Sequence, residues 1–162
     1  PTERYYEEEG RAELTPRDFG ILMHRVFENA ATTDEIYMAI EAMTQDGVLD
    51  EKEAPRLREL VEKALADPVT AEWFGGRWQV VRNENEIILP GSGTTRRPDR
   101  VMTDGERAVV VDYKFGDRET ARHRKQIREY LRLLRQMGYT RTEGYLWYVR
   151  LGRTERVEEK ED

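Results

Sequence analysis

No cysteine occurs among the 162 residues, which excludes a disulfide framework, a zinc–thiolate site and an iron–sulfur cluster. That absence fits a reducing, cytoplasmic setting. Apolar runs are short: none approaches the roughly 20 residues that cross a bilayer, and no basic–apolar–small pattern of a signal peptide opens the chain, so no membrane partner is expected. A Gly-x-x-x-x-Gly-Lys-Ser/Thr loop is also missing, so no nucleotide-driven motor is expected within these residues. Internal repeats and low-complexity stretches are absent as well. The first residue is Pro1 rather than Met, which leads to the expectation of a piece cut from a larger parent.

What is present supports one packed domain. The charged fraction is 37% and the hydrophobic fraction 38%, yet eight Tyr, four Phe and three Trp supply large pieces for burial, enough to argue against general disorder. The net charge of −6 is unevenly spread. Residues 1–95 carry 10 Lys/Arg against 20 Asp/Glu, residues 96–156 carry 16 against 9, and residues 157–162 carry 1 against 4. An acidic chain with one basic segment permits a polyanion partner on one side.

Periodicity divides the chain into an unstructured end at 1–14, a domain at 15–152 and a charged tail at 153–162. Thr15 before Pro16 predicts a helix start, with Phe19, Leu22, Met23, Val26, Phe27 and Ala30 at helical spacing to about residue 31. Thr33 as a cap predicts a second helix to about Thr44, and Glu51–Ala66 a third, followed by a short turn at Val69–Phe74. The pattern then switches to period two, predicting strands near 78–82, 86–89, 97–103 and 108–114. A long helix is expected over Thr120–Met137 and a last strand over Gly144–Leu151. Trp73, Trp78 and Trp147 read as core.

The informative stretch is Pro98-Asp99, then a turn, then Val109-Val110-Val111-Asp112-Tyr113-Lys114. Alternation puts Asp112 and Lys114 on one face of a strand whose apolar run reads as central. Alone, Asp-x-Lys equally describes a structural salt bridge. Asp99 on the neighbouring strand can pair across a hairpin, however, and two converging carboxylates repel unless a cation lies between them. Oxygen ligands of this kind suit Mg²⁺ or Mn²⁺. A metal there would polarise a phosphoryl oxygen, with Lys114 holding the attacking water or the developing negative charge.

A proline–Asp strand, a turn and a second strand ending Asp-Tyr-Lys resembles the PD-(D/E)XK nuclease superfamily, and the Asp-Tyr-Lys form resembles its RecB-like branch. The resemblance spans about residues 17–151. It implies an α/β fold with a restriction-endonuclease-like core: a small mixed sheet flanked by helices, with extra N-terminal helices. It implies a metal site of His24, Asp99 and Asp112, with His24 on the first helix, and a catalytic set of Asp99, Asp112, Lys114 and the Gln-x-x-x-Tyr pair Gln126 and Tyr130. Gly20, one turn before His24, is expected to leave room for metal and substrate. The implied activity is divalent-metal-dependent hydrolysis of DNA, exonucleolytic and on single strands, within a repair or recombination helicase-nuclease whose helicase is part of the parent chain or a partner subunit. The lack of cysteine places the chain with relatives that carry no iron–sulfur cluster. A catalytically silent module that binds DNA or a partner is the alternative.

Around that set, Arg118, Arg122, Lys125, Arg128, Arg132 and Arg135 recur at helical spacing as one basic face, and the first five are the expected DNA contacts. A solvated charged face is the competing explanation. Gln126 and Tyr130 share one helix face. His123, set among Arg122, Arg124 and Lys125, reads as exposed or phosphate-facing, and Glu86 as an outward strand residue rather than a supplementary ligand.

Overall fold

The computed structural model describes residues 16–83, 87–88, 95–116 and 121–160; Thr15, Glu86, Arg118 and the 1–14 end lie outside them. Elements run α1 (Pro16–Glu28), α2 (Thr33–Gln45), α3 (Glu53–Ala64), α4 (Pro68–Trp73), β1 (Val80–Asn83), β2 (Ile87–Ile88), β3 (Thr95–Arg96), β4 (Arg100–Asp104), β5 (Arg107–Lys114), α5 (Ala121–Gln136), β6 (Arg141–Tyr148) and β7 (Arg153–Val157). Among the described residues, no helix is long and apolar enough to cross a membrane.

The main sheet has five strands in the order β1-β4-β5-β6-β7, and β2 with β3 forms a separate two-stranded ribbon. Only the β5–β6 pair is parallel. A parallel pair needs a crossover, and α5 supplies it. β5 is buried on both faces, as its Val-Val-Val run requires. Val109, Val111 and Tyr113 join the core under α1–α4, while Ala108 and Val110 join Ile127, Tyr130, Leu131 and Leu134 of α5. The expected mixed sheet between helical layers is thus the observed architecture.

Local chemistry sets the helix starts. Thr32, rather than the expected Thr33, caps α2: its hydroxyl accepts the N–H of Glu35, and Glu35 reaches back to accept from the N–H of Ala31, a reciprocal capping arrangement. Asp50 caps α3 by accepting from the N–H groups of Lys52 and Glu53. Asp67 caps α4 ahead of Pro68. Between α5 and the sheet, the approach is close at Gly144, where a Cβ would lie 2.4 Å from Cγ2 of Ile127; only glycine lets the helix settle there.

Two expectations change. Residues 153–157, expected in a charged tail, form edge strand β7. Its sequence Arg-Thr-Glu-Arg-Val has a single apolar inward residue, Val157, so no period-two signal exists to read. Ion pairs to α5 attach it instead: Arg124 with Glu155 and Arg135 with Glu159, each at 2.5 Å. Trp73 and Trp147 are core, but Trp78 is only half-buried, its indole N–H donating to the carbonyl of Glu72 (2.9 Å).

Candidate active site

The β4–β5 ladder ends at the pair Arg100↔Val111. Beyond it, Asp99 and Asp112 continue the pairing with side chains. The backbone N–H of Asp99 donates to Oδ1 of Asp112 (3.0 Å), and the N–H of Tyr113 donates to Oδ2 of Asp99 (2.7 Å). Each carboxylate therefore has one oxygen fixed by the other strand's backbone. This reciprocal clamp holds the two acids side by side where ordinary strand pairing stops.

Asp112 is 4% exposed. Burial pushes its carboxyl above the ordinary value, against the opposing pull of the Asp99 N–H and the charges of Lys114 and His24. Alternation carries Asp112 and the half-buried Lys114 onto the α5 face of β5. His24 arrives from the other side, on α1: its Nδ1 lies 3.8 Å from Oδ1 of Asp99, and its ring contacts Tyr113 and Phe115 at centroid distances of 5.8 and 5.0 Å. The acids, the lysine and the imidazole thus meet at one end of the sheet. The structure does not close them into a ligand cage, because among the described residues no three of His, Cys, Asp and Glu form a metal-holding group.

Phe115 stands beside Gly20, its Cδ2 3.4 Å from where a Cβ would lie, an ordinary contact distance, and the same ring packs against His24.

α5 brings the second group. Gln126 Nε2 donates to the hydroxyl of Tyr130 (3.2 Å). Tyr130 is fully buried in the α5 core, so it supports Gln126 and does not reach a nucleotide. Arg122, Lys125, Gln126 and Glu129 line a cleft of about 240 Å³. The basic residues of α5 form one broad face, as expected, whose two edges differ in their partners. At 100° per residue, Arg124, Arg128 and Arg135 fall on the flank where Glu155 and Glu159 pair with the first and last. Arg122, Lys125 and Arg132 are exposed on the other flank. Met137, where the long helix was expected to end, is 64% exposed. His123 is half-buried, and burial together with the positive charges of Lys114, Arg122 and Arg124 holds its pKa down.

Arg100 has a part that pattern reading missed. It is fully buried, with its guanidinium 3.9 Å from the Phe74 ring centroid. It donates to the carbonyls of Ala30 (2.6 Å), Ala31 (2.8 Å) and Trp73 (2.7 Å) and to Oδ1 of Asn83 (3.1 Å). The residue next to Asp99 thereby ties β4 to the chain leaving α1, the helix that carries His24. The signal was available: Arg100 shares its strand face with the buried Met102.

A sequence profile for the PD-(D/E)XK nuclease superfamily matches residues 2–162. The chain belongs to that superfamily. Its name spells Pro-Asp followed by Asp/Glu-x-Lys, and the chain carries those letters at 98–99 and 112–114. No curated protein matches the chain. PD-(D/E)XK proteins are in general metal-dependent nucleases that act on DNA, some members being inactive. The two carboxylates are the hard oxygen donors that Mg²⁺ or Mn²⁺ takes, with waters and phosphate completing the shell, and they fit such a cation; His24 stands beside Asp99 as a softer donor.

Proposed function

We propose that the chain hydrolyses DNA phosphodiester bonds with a divalent cation held by His24, Asp99 and Asp112. The observation that carries this reading is the reciprocal clamp of Asp99 and Asp112 beside Lys114. A bound divalent cation supplies Lewis-acid polarisation of the phosphoryl oxygen and lowers the pKa of water. The chain's own residues do the rest. Backbone N–H groups orient both carboxylates before any ligand arrives, which removes the need to reorganise them. Lys114 holds the attacking water and offsets the negative charge that develops on the phosphoryl oxygens. Gln126, steadied by Tyr130, contacts a phosphate at the mouth of the α5 cleft, and Arg122 and Lys125 track the backbone beyond it.

The finer reading is an exonuclease acting on single strands and serving repair or recombination beside a helicase, in the RecB-like manner. Asp-Tyr-Lys, the position of His24 and the Gln-x-x-x-Tyr pair support it. Labelled single- and double-stranded DNA, tagged at either end and incubated with Mg²⁺ or Mn²⁺, tests both levels. Stepwise release from one end of single strands supports the finer reading, internal cuts remove it, and no cleavage with either metal removes the enzyme. A silent nucleic-acid-binding relative is the second reading, favoured by the lack of a closed three-ligand group among the described residues. It predicts DNA binding without Mn²⁺ binding by calorimetry.

A further inference from the structure

The turn between β6 and β7, residues 149–152, lies at the same end of the sheet as Lys114, because Lys114 pairs with Tyr148 in the parallel register. Its base is attached to the site: the N–H of Val149 donates to the carbonyl of Lys114 (3.1 Å), and the Val149 side chain is buried. The turn holds one shape. Leu151 N–H donates to Tyr148 O and Gly152 N–H to Val149 O, both at 3.2 Å, and Gly152 adopts a left-handed φ of 60° that suits glycine.

What this rigid turn presents is unusual for a loop tip. Arg150, Leu151, Gly152 and Arg153 are exposed, Leu151 by 50%, where polar residues are the norm. The Arg150 guanidinium lies 5.8 Å from the Phe19 ring; Phe19 contacts Phe115 at 5.7 Å, and Phe115 contacts His24 at 5.0 Å. An aromatic row thus leads from the arginine to the candidate metal ligand. Arg153 lies 5.1 Å from the Tyr148 ring, which belongs to the α5-side core. The two arginines straddle the sheet. Among the described residues, no carboxylate stands within ion-pair distance of Arg150.

We infer that this turn is a second nucleic-acid contact, on the α1 side of the site and opposite the α5 cleft, in which Arg150 takes a backbone phosphate and Leu151 packs on an adjacent base. The inference rests on the nuclease reading. A strand held between α5 and the turn would cross the Asp99–Asp112 pair under grip from both sides, and the connection from Val149 to Lys114 fixes the distance between that grip and the cut.

The test titrates single-stranded DNA carrying 2-aminopurine, in Ca²⁺ and at several salt concentrations, against the unaltered protein and the Arg150→Ala, Arg150→Lys and Leu151→Ala variants. Arg150→Ala should weaken binding and lower the slope of log affinity against log salt by about 0.7, the value for one single-strand phosphate contact. Arg150→Lys should restore the slope, which a purely structural loss would not allow. Leu151→Ala should leave the slope unchanged while reducing the change in 2-aminopurine fluorescence on binding, as expected where an apolar side chain disturbs base stacking. Slopes and fluorescence changes equal to those of the unaltered protein, alongside intact Mg²⁺-dependent cleavage, overturn the turn's role alone. Absence of both binding and cleavage in the unaltered protein overturns the nuclease reading and this inference with it.

Discussion

The two ends of β5 and β6 treat charge in opposite ways. At the end where these strands begin, Arg107 pairs with Glu143 (2.6 Å) and Glu72 (2.7 Å) and lies 4.9 Å from the Trp78 ring. Cations and carboxylates are matched there. At the end where the strands finish, two carboxylates stand side by side in the clamp near Lys114, and Arg122, Lys125 and Arg150 lie on the helix start and the turn that reach that end; none of the four cations has a carboxylate within ion-pair distance among the described residues. The same sheet carries both arrangements, so the backbone does not dictate the difference. Matched charge holds the fold at one end, and in the proposed reading convergent like charge equips the other to take a cation and a polyanion. Substitutions at the two ends should accordingly separate activity from stability.

The largest effect is expected from Lys114→Ala, which should lower cleavage by about 10²–10³-fold, in line with loss of one preorganised charge-stabilising group, while DNA binding in Ca²⁺ is nearly retained. Equal loss of both would make Lys114 a phosphate-binding residue. Asp112→Asn should lose Mn²⁺ affinity by calorimetry as well as activity, since a neutral amide is a poorer ligand for a hard cation. Its melting temperature should hold or rise, because the substitution removes a 4%-exposed carboxylate whose burial is unfavourable. A melting temperature well below that of the unaltered protein would show that the site end also carries the fold.

Away from both ends, Gly144→Ala is the converse case. The added Cβ would meet Ile127 at 2.4 Å, and overpacking of this kind costs about 1–3 kcal/mol, or roughly 2–10 °C of melting temperature for a domain of this size. Cleavage per folded molecule should be unchanged. An unaltered melting temperature would mean that α5 shifts without penalty, and Gln126 would then be free to move as well.

What could be read beforehand follows the same division. β5 was legible because burial on both faces requires a continuous apolar run, and a charged pair closing that run stands out. α1 and α5 were legible because each buries one stripe against the sheet. β7 was not, because hydrogen bonds and the pairs Arg124–Glu155 and Arg135–Glu159 hold it, and neither leaves an apolar period. The convergence of Asp99 with Asp112 follows from hairpin pairing, but the clamp does not: it depends on side chains replacing the ladder beyond Arg100↔Val111. The burial of Arg100 had a signal, the strand face that it shares with Met102, but its partners did not, because they are backbone carbonyls of Ala30, Ala31 and Trp73, which carry no sequence signature. The basic face of α5 was legible, but the pairing of Arg124 and Arg135 at one of its edges was not, because their partners lie 31 and 24 residues downstream.

A smaller effect should distinguish the flanks of α5. Replacing Arg122 and Lys125 together with Ala should reduce the salt slope of DNA binding by about one to two units, with base preference unchanged. Arg124→Ala should leave the slope nearly intact and act on stability, since its partner is Glu155. Equal slopes for both variants would merge the two flanks.

The smallest effect lies at the matched end and is read through pH. Burial would raise the Glu143 carboxyl, but hydrogen bonds from Arg107 and Tyr145, with the charges of Arg107 and Arg156, outweigh it and hold the pKa below its ordinary value of 4.5. A group depressed on folding contributes stability that is fully present above its unfolded value and is lost as pH falls through the folded one. Denaturant titrations should therefore show constant stability from this pair at pH 6–7 and a decline beginning near pH 4.5. Glu143→Gln should flatten part of that acid limb and cost on the order of 1 kcal/mol at pH 7, as expected for a partly exposed pair. Cleavage at pH 7 should match that of the unaltered protein, because Glu143 pairs with Val109 in the register, well before Asp112. If Glu143→Gln instead reduced cleavage without touching the acid limb, the matched end would be part of the site, and the division between the two ends would fail.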